Sequence, residues 1–115
     1  MEQLNRIEIR GMVGSVRLQT FSDNVMARMT VATNHAYKDK DGSPVIETSW
    51  HNVVAWEGKN IQGLEKISRG AKIHVIGRLR YQKYTGADGV ERVSSDIVAN
   101  KITIMDDSEP LQYEV

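Results

Sequence analysis

Apolar residues recur at every second position through most of this chain, and only one short stretch spaces them three apart. Side chains of an extended strand point alternately to its two faces, so such a pattern buries one face and wets the other. Ile7, Ile9 and Val13 open a first strand that Gly11 and Gly14 interrupt. Glycines inside a strand mark a bulge or a sharp bend. A second strand spans about Val25 to Tyr37, with Val25, Ala27, Met29, Val31 and Thr33 on one face. The run Lys38-Asp39-Lys40-Asp41-Gly42-Ser43-Pro44 is a turn by composition. Further strands cover about Val45 to Glu57, Lys72 to Tyr84 and Glu91 to Met105. Between the last two, Thr85-Gly86-Ala87-Asp88-Gly89 is a hairpin signal, because its Asp-Gly pair tolerates positive φ.

The exception runs from Lys59 to Ser68. There Ile61, Leu64 and Ile67 fall three apart and Gly70 follows, which predicts one short amphipathic helix stopped by a glycine. Three strands, a helix and two strands match an all-β, five-stranded Greek-key barrel of the OB-fold type, with the helix between strands 3 and 4. A small antiparallel sandwich is the alternative architecture. With 115 residues the chain is one domain long. We assign residues 1–105 to the barrel and expect 106–115 to be a short acidic, mobile tail.

Composition narrows the chemistry. There is no cysteine, which removes disulfides, thiolate metal sites and cysteine nucleophiles. No apolar run approaches the roughly 18 residues of a membrane span, and the first residues lack a signal-peptide core. A cytoplasmic location, without a membrane partner, is expected. Lys and Arg number 15 against 15 Asp and Glu, but the charges are uneven. The last ten residues hold Asp106, Asp107, Glu109 and Glu114 and no Lys or Arg, so residues 1–105 carry an excess of +4. A neutral total does not forbid a polyanionic partner, since binding depends on the local potential.

Reaction chemistry is sparse. His35, His51 and His74 form no i, i+4 ligand pair, and no carboxylates cluster near them. Gly11 and Gly14 have no third partner before a helix, and Gly58-Lys59 lacks the preceding glycine of a phosphate-binding loop. No cofactor, metal or enzymatic activity is expected. His51 shares a strand face with Val53 and Ala55, which suits a packed, hydrogen-bonded residue near the core or a subunit contact.

The other face of that strand holds Trp50, Asn52, Val54 and Trp56. The two tryptophans lie six residues apart, about 20 Å along a strand. That is too far for one small-molecule pocket and suits separate bases of an extended polymer. Large aromatics usually bury. Asn52 argues against a core face here, and Met29, Val31, Ile73, Val75 and Ile97 already supply apolar filling. In the fourth strand Arg78, Arg80, Gln82 and Tyr84 share a face, while Lys83 lies on the other. Tyr37 with Lys38 repeats the aromatic-plus-cation pairing, and Arg6 and Lys59 could add phosphate contacts. Stacking platforms along a cationic groove fit single-stranded nucleic acid.

These residues resemble bacterial single-stranded DNA-binding proteins of the homotetrameric OB-fold type. The likeness runs from about Asn5 to Met105. Its anchors are Asn5-Arg6-Ile7 with Gly11 and Gly14, the stretch Met29-Thr30-Val31-Ala32-Thr33, and above all Thr48 to Trp56 followed by Gly58-Lys59. Gly70, Val75-Ile76-Gly77-Arg78-Leu79-Arg80 and Lys83-Tyr84-Thr85 complete the set. The resemblance implies sequence-independent binding of single-stranded DNA in replication, recombination or repair, a nucleoid-associated location and a homotetramer. It places stacking on Tyr37, Trp50, Trp56 and Tyr84. The position of Asn52 is often basic in the family. The long tail with an acidic, Asp-Pro-Phe-like tip has only a faint echo here in four acids and Tyr113, which puts recruitment of replication proteins in doubt. The alternative function is a primosome-type OB module whose main partner is another replication protein.

Overall fold

The computed structural model describes residues 1–114. Five strands carry the chain: β1 (Ile7–Phe21), β2 (Asn24–Lys38), β3 (Pro44–Trp56), β4 (Lys72–Thr85) and β5 (Glu91–Ile104). They close into a barrel in the order β1-β2-β3-β5-β4. Neighbours pair antiparallel except β3 and β5, which meet in parallel at Val53–Ile97 and Val54–Val98. This is the five-stranded Greek-key closure of an OB-fold. No helix among the described residues is long and apolar enough to cross a membrane.

The alternation sets the interior. Val13, Ala27, Met29, Val31, Val53, Ala55, Ile73, Val75 and Ile97 are buried together, and no polar or charged residue among those described is fully buried. β1 is longer than its opening residues suggest. It pairs with β4 from Ile7 to Met12, then crosses over to pair with β2 from Met12 to Phe21. The register slips between Val13 and Ser15, so Gly14 sits at the bulge that lets one strand serve two partners. At Gly11 an added Cβ would come within 2.3 Å of the Ala32 carbonyl oxygen, so only glycine allows β1 this close to β2.

The expected helix over 59–68 is reduced to a single 3-10 turn, Leu64–Lys66. Gly63 adopts a left-handed φ of 74° immediately before it, and the chain is already extended at Ile67. Glu57 Oε1 accepts the backbone N–H groups of Gly63 (3.0 Å) and Leu64 (3.2 Å), replacing bonds a longer helix would make. The threefold apolar spacing still serves burial, because Ile61, Leu64 and Ile67 all cap the core.

After β5 the chain turns at Asp106–Glu109, where Lys72 Nζ donates to the carbonyls of Asp107 and Glu109. It then lies back along β2. Glu114 bridges His35 in parallel, donating to the Asn34 carbonyl and accepting from Ala36 N–H. The physical reason is an open edge: β1 pairs β2 only as far as Ala32, and the far arm of β2 is left with β3 alone among the strands. The segment that composition alone marks as mobile is thus described, up to Glu114, as a strap against the barrel. Val115 lies outside the described residues.

Candidate nucleic-acid interface

Pairing across β1, β2 and β3 assembles one outward face. Residues directly opposite in neighbouring strands share a face, so the rows Ser15–Thr30–Asn52 and Arg17–Arg28–Val54 run side by side across it. Trp50 and Trp56 flank these rows along β3. Trp50 is 62% exposed and Trp56 46%, which removes both from the core. The Trp50 indole lies over Gly14, where an added Cβ would stand 2.4 Å from its Cζ3. The bulge glycine therefore makes the seat of the ring. At the other end the Phe21 ring lies 5.9 Å from that of Trp56, tilted by 41°.

The remaining expected residues are distributed around this face. Tyr37 is exposed on the outer β2–β3 arm, its ring stacked on His35 at 5.9 Å, with Lys38 beside it. Tyr84 is exposed on the β4–β5 arm, close to Lys83, which pairs loosely with Glu91 at 3.8 Å. Lys59 is exposed in the loop after Trp56. Asn5 brackets Leu79 with two hydrogen bonds (2.7 and 3.0 Å) and so brings Arg6 to the level of Arg78. Arg6 itself lies 3.6 Å from Glu8.

Arg80 has other company. Its Nε and Nη2 donate to Asp96 at 3.0 and 2.8 Å, a two-pronged pair. These hydrogen bonds raise the already high pKa of the guanidinium, so Arg80 stays charged but is tied to an acid. Asp96 lies directly opposite it in β5, and that placement cannot be read from either strand alone.

Two cations on the central face, Arg17 and Arg28, are absent from the residues the sequence singled out. Arg28 is out of phase with buried Ala27 and Met29, so its outward direction was legible. Its position opposite Arg17 and next to Val54 was not. Phe21 is the same case, because only the closed hairpin brings it to Trp56.

His51 donates to or accepts from Thr33 Oγ1 at 2.8 Å on the inward face, and burial lowers its pKa. His74 bonds Glu8 Oε1 at 2.8 Å, and this bond holds the Glu8 carboxyl below its ordinary pKa. Among the described residues no three His, Cys, Asp or Glu side chains gather as metal ligands.

Barrel topology and an exposed aromatic-and-arginine face together define an OB-fold with a polymer-sized surface. Residues 4–105 match the model of the single-strand binding protein family, so the chain belongs to that family. A single-stranded DNA-binding protein of Xanthomonas axonopodis pv. citri is 36% identical over 104 residues, covering 89% of this chain and 58% of that protein. A mitochondrial single-stranded DNA-binding protein of Danio rerio is 26% identical, covering 93% of this chain and 80% of that one. The chain thus spans about three-fifths of the length of the Xanthomonas relative. Among solved structures, Plasmodium falciparum SSB in complex with ssDNA superposes with a TM-score of 0.81 at 22% identity, over 92% of this chain and 98% of that one, a likeness of fold.

Proposed function

We propose that this protein binds single-stranded DNA without sequence preference and protects it during replication, recombination or repair, acting without catalysis. The observation that carries this reading is the exposure of Trp50 and Trp56 at opposite ends of a face that sets Arg17 and Arg28 between them. Aromatic faces accept any base, and each stacked base is worth about 1–3 kcal/mol. Family membership and relatives that carry this activity in their names support it. Tyr37 and Tyr84 extend the stacking track onto the two arms, while Lys38, Asn52, Lys59, Lys83, Arg78 and Arg6 steady the backbone at its margins. Arg80 acts in the same set through its fixed pair with Asp96, as a shaped wall with a residual donor surface.

In this reading residues 1–105 are the binding domain, and 106–115 an acidic segment attached to it. The protein works in the cytoplasm, at the nucleoid, as a homotetramer. The outer edge of β1 at Ile7–Gly11, which β2 does not pair, gives a second copy a place to continue the sheet. Sedimentation showing monomer alone contradicts the assembly.

The decisive experiment is a titration with oligo-dT at low salt, followed by tryptophan fluorescence. Binding quenches the emission, and affinity falls as salt rises. Trp50→Ala weakens binding by about 1–3 kcal/mol with little change in melting temperature. The proposal fails if oligo-dT produces no quenching at low salt, or if Trp50→Ala unfolds the protein.

A further inference from the structure

Arg17 and Arg28 are Cα partners across β1 and β2, so two guanidinium side chains leave the same sheet face directly opposite one another. Like charges in that position disfavour the fold. Elsewhere in the chain Arg80 has Asp96 as its partner and Arg92 has Asp88. Among the described residues neither Arg17 nor Arg28 has a carboxylate within 4 Å, and both are exposed. Both border an open groove whose other walls include Ser15, Asn52, Gln82 and Asp96. Asp96 faces that groove already neutralised by Arg80. Among the described residues the groove therefore has two uncompensated cations, neutral hydrogen-bonding walls and no free acid.

Position adds to the case. Arg28 lies opposite Val54, four residues from Trp50 and two from Trp56 on the same face of β3. At the usual strand rise that is about 13 Å from one indole and about 7 Å from the other. A polymer stacked on both rings must carry its backbone past this point.

We infer that the opposed pair Arg17–Arg28 is a seat for backbone phosphodiesters, holding the strand between the Trp50 and Trp56 platforms. Guanidinium forks suit this ligand, because phosphate oxygens accept their N–H donors in pairs. The bound phosphates also relieve the repulsion between the two cations. Ligand binding and fold stability then pull against each other at these positions in the free protein. The inference rests on the single-strand reading above and specifies where the electrostatic part of the binding resides.

The test uses the full chain, dT oligonucleotides long enough to span both rings, and the dependence of affinity on salt. For single strands the slope of log K against log salt is about −0.7 per neutralised phosphate. Arg17→Gln and Arg28→Gln should each flatten the slope by about 0.7 and weaken binding roughly tenfold at low salt. The double variant should flatten it by about 1.4. Melting temperatures should stay level or rise, since a like-charge contact is removed. Arg69→Gln, in the loop before β4, serves as the control and should leave the slope unchanged. If the parent protein binds oligo-dT and the arginine variants keep its slope, the seat is refuted while the single-strand reading stands. If the parent protein shows no binding, that reading fails first. A melting temperature lowered in both variants with the slope unchanged would make the pair structural and overturn the inference.

Discussion

Two glycines in β1 separate a movable aromatic seat from a rigid strand contact, and replacing each by alanine should give opposite results. At Gly14 a new Cβ would stand 2.4 Å from Trp50 Cζ3 and 3.0 Å from Cη2. Carbon atoms settle at about 3.5–4.0 Å, so the indole must withdraw by about 1 Å or more. It has room to do so, being more exposed than buried. The lost dispersion contacts, at about 0.1–0.2 kcal/mol each, are of the same order as the roughly 0.4–1 kcal/mol that alanine returns by restricting the unfolded chain. Net stability should therefore change by less than about 1 kcal/mol, with a melting shift below about 5 °C. Binding should suffer more, because the platform is displaced. Losing part of one stacked base is worth roughly 1 kcal/mol, about fivefold in affinity for oligo-dT.

Gly11→Ala meets a different neighbour. Its Cβ would come within 2.3 Å of the Ala32 carbonyl oxygen and 2.8 Å of Val31 Cγ1, both held in the barrel wall. Overpacking of this kind costs about 1–3 kcal/mol or more, and the melting temperature should fall accordingly. Thermal melts and oligo-dT titrations of both variants settle the matter. The reasoning is refuted if Gly14→Ala melts as low as Gly11→Ala. It is equally refuted if the indole emission shifts while the affinity does not.

Other substitutions probe the core and a half-buried titrating group. Leu64→Ala should lose about 2–5 kcal/mol in denaturant unfolding, because this fully buried side chain of the 3-10 turn plugs the barrel. His51 has its folded pKa pressed below the ordinary 6.5 by burial, so the unfolded chain takes up its proton first as pH falls. The stability His51 contributes is thus complete above pH 6.5 and declines as pH drops through its folded pKa. His51→Gln should flatten that part of a stability-against-pH curve, while leaving the limb below it that comes from Glu8.

Much of the barrel was legible in the chain because face selection is local. Ala27, Met29 and Val31 alternate with Arg28 and Thr30, and all three lie inside. The threefold spacing of Ile61, Leu64 and Ile67 announced burial correctly but overstated the helix, since Gly63 in a left-handed conformation admits only one tight turn. The outward direction of Trp50, Asn52 and Trp56 followed from Asn52 sharing their face. What escaped was the company each residue keeps. Arg80 reads as a free cation in the sequence, whereas the fold sets Asp96 opposite it, and Arg17 and Arg28, 11 positions apart in the chain, become neighbours only across the β1–β2 hairpin.

By itself, then, the order of residues determined the inward side of β2 from Ala27 to Val31, the closing role of the apolar stretch after β3, and the presence of aromatic rings on an outer surface. Tertiary structure alone decided register: the bulge at Gly14 that seats one indole, the Phe21 ring beside the other, the acid that occupies Arg80 and the bare pair of arginines in between. The reason is physical. Alternation is written in neighbouring residues, whereas a cross-strand partner is chosen by the summed fit of two whole strands, and a slip of one position would exchange every neighbour while leaving each local pattern unaltered.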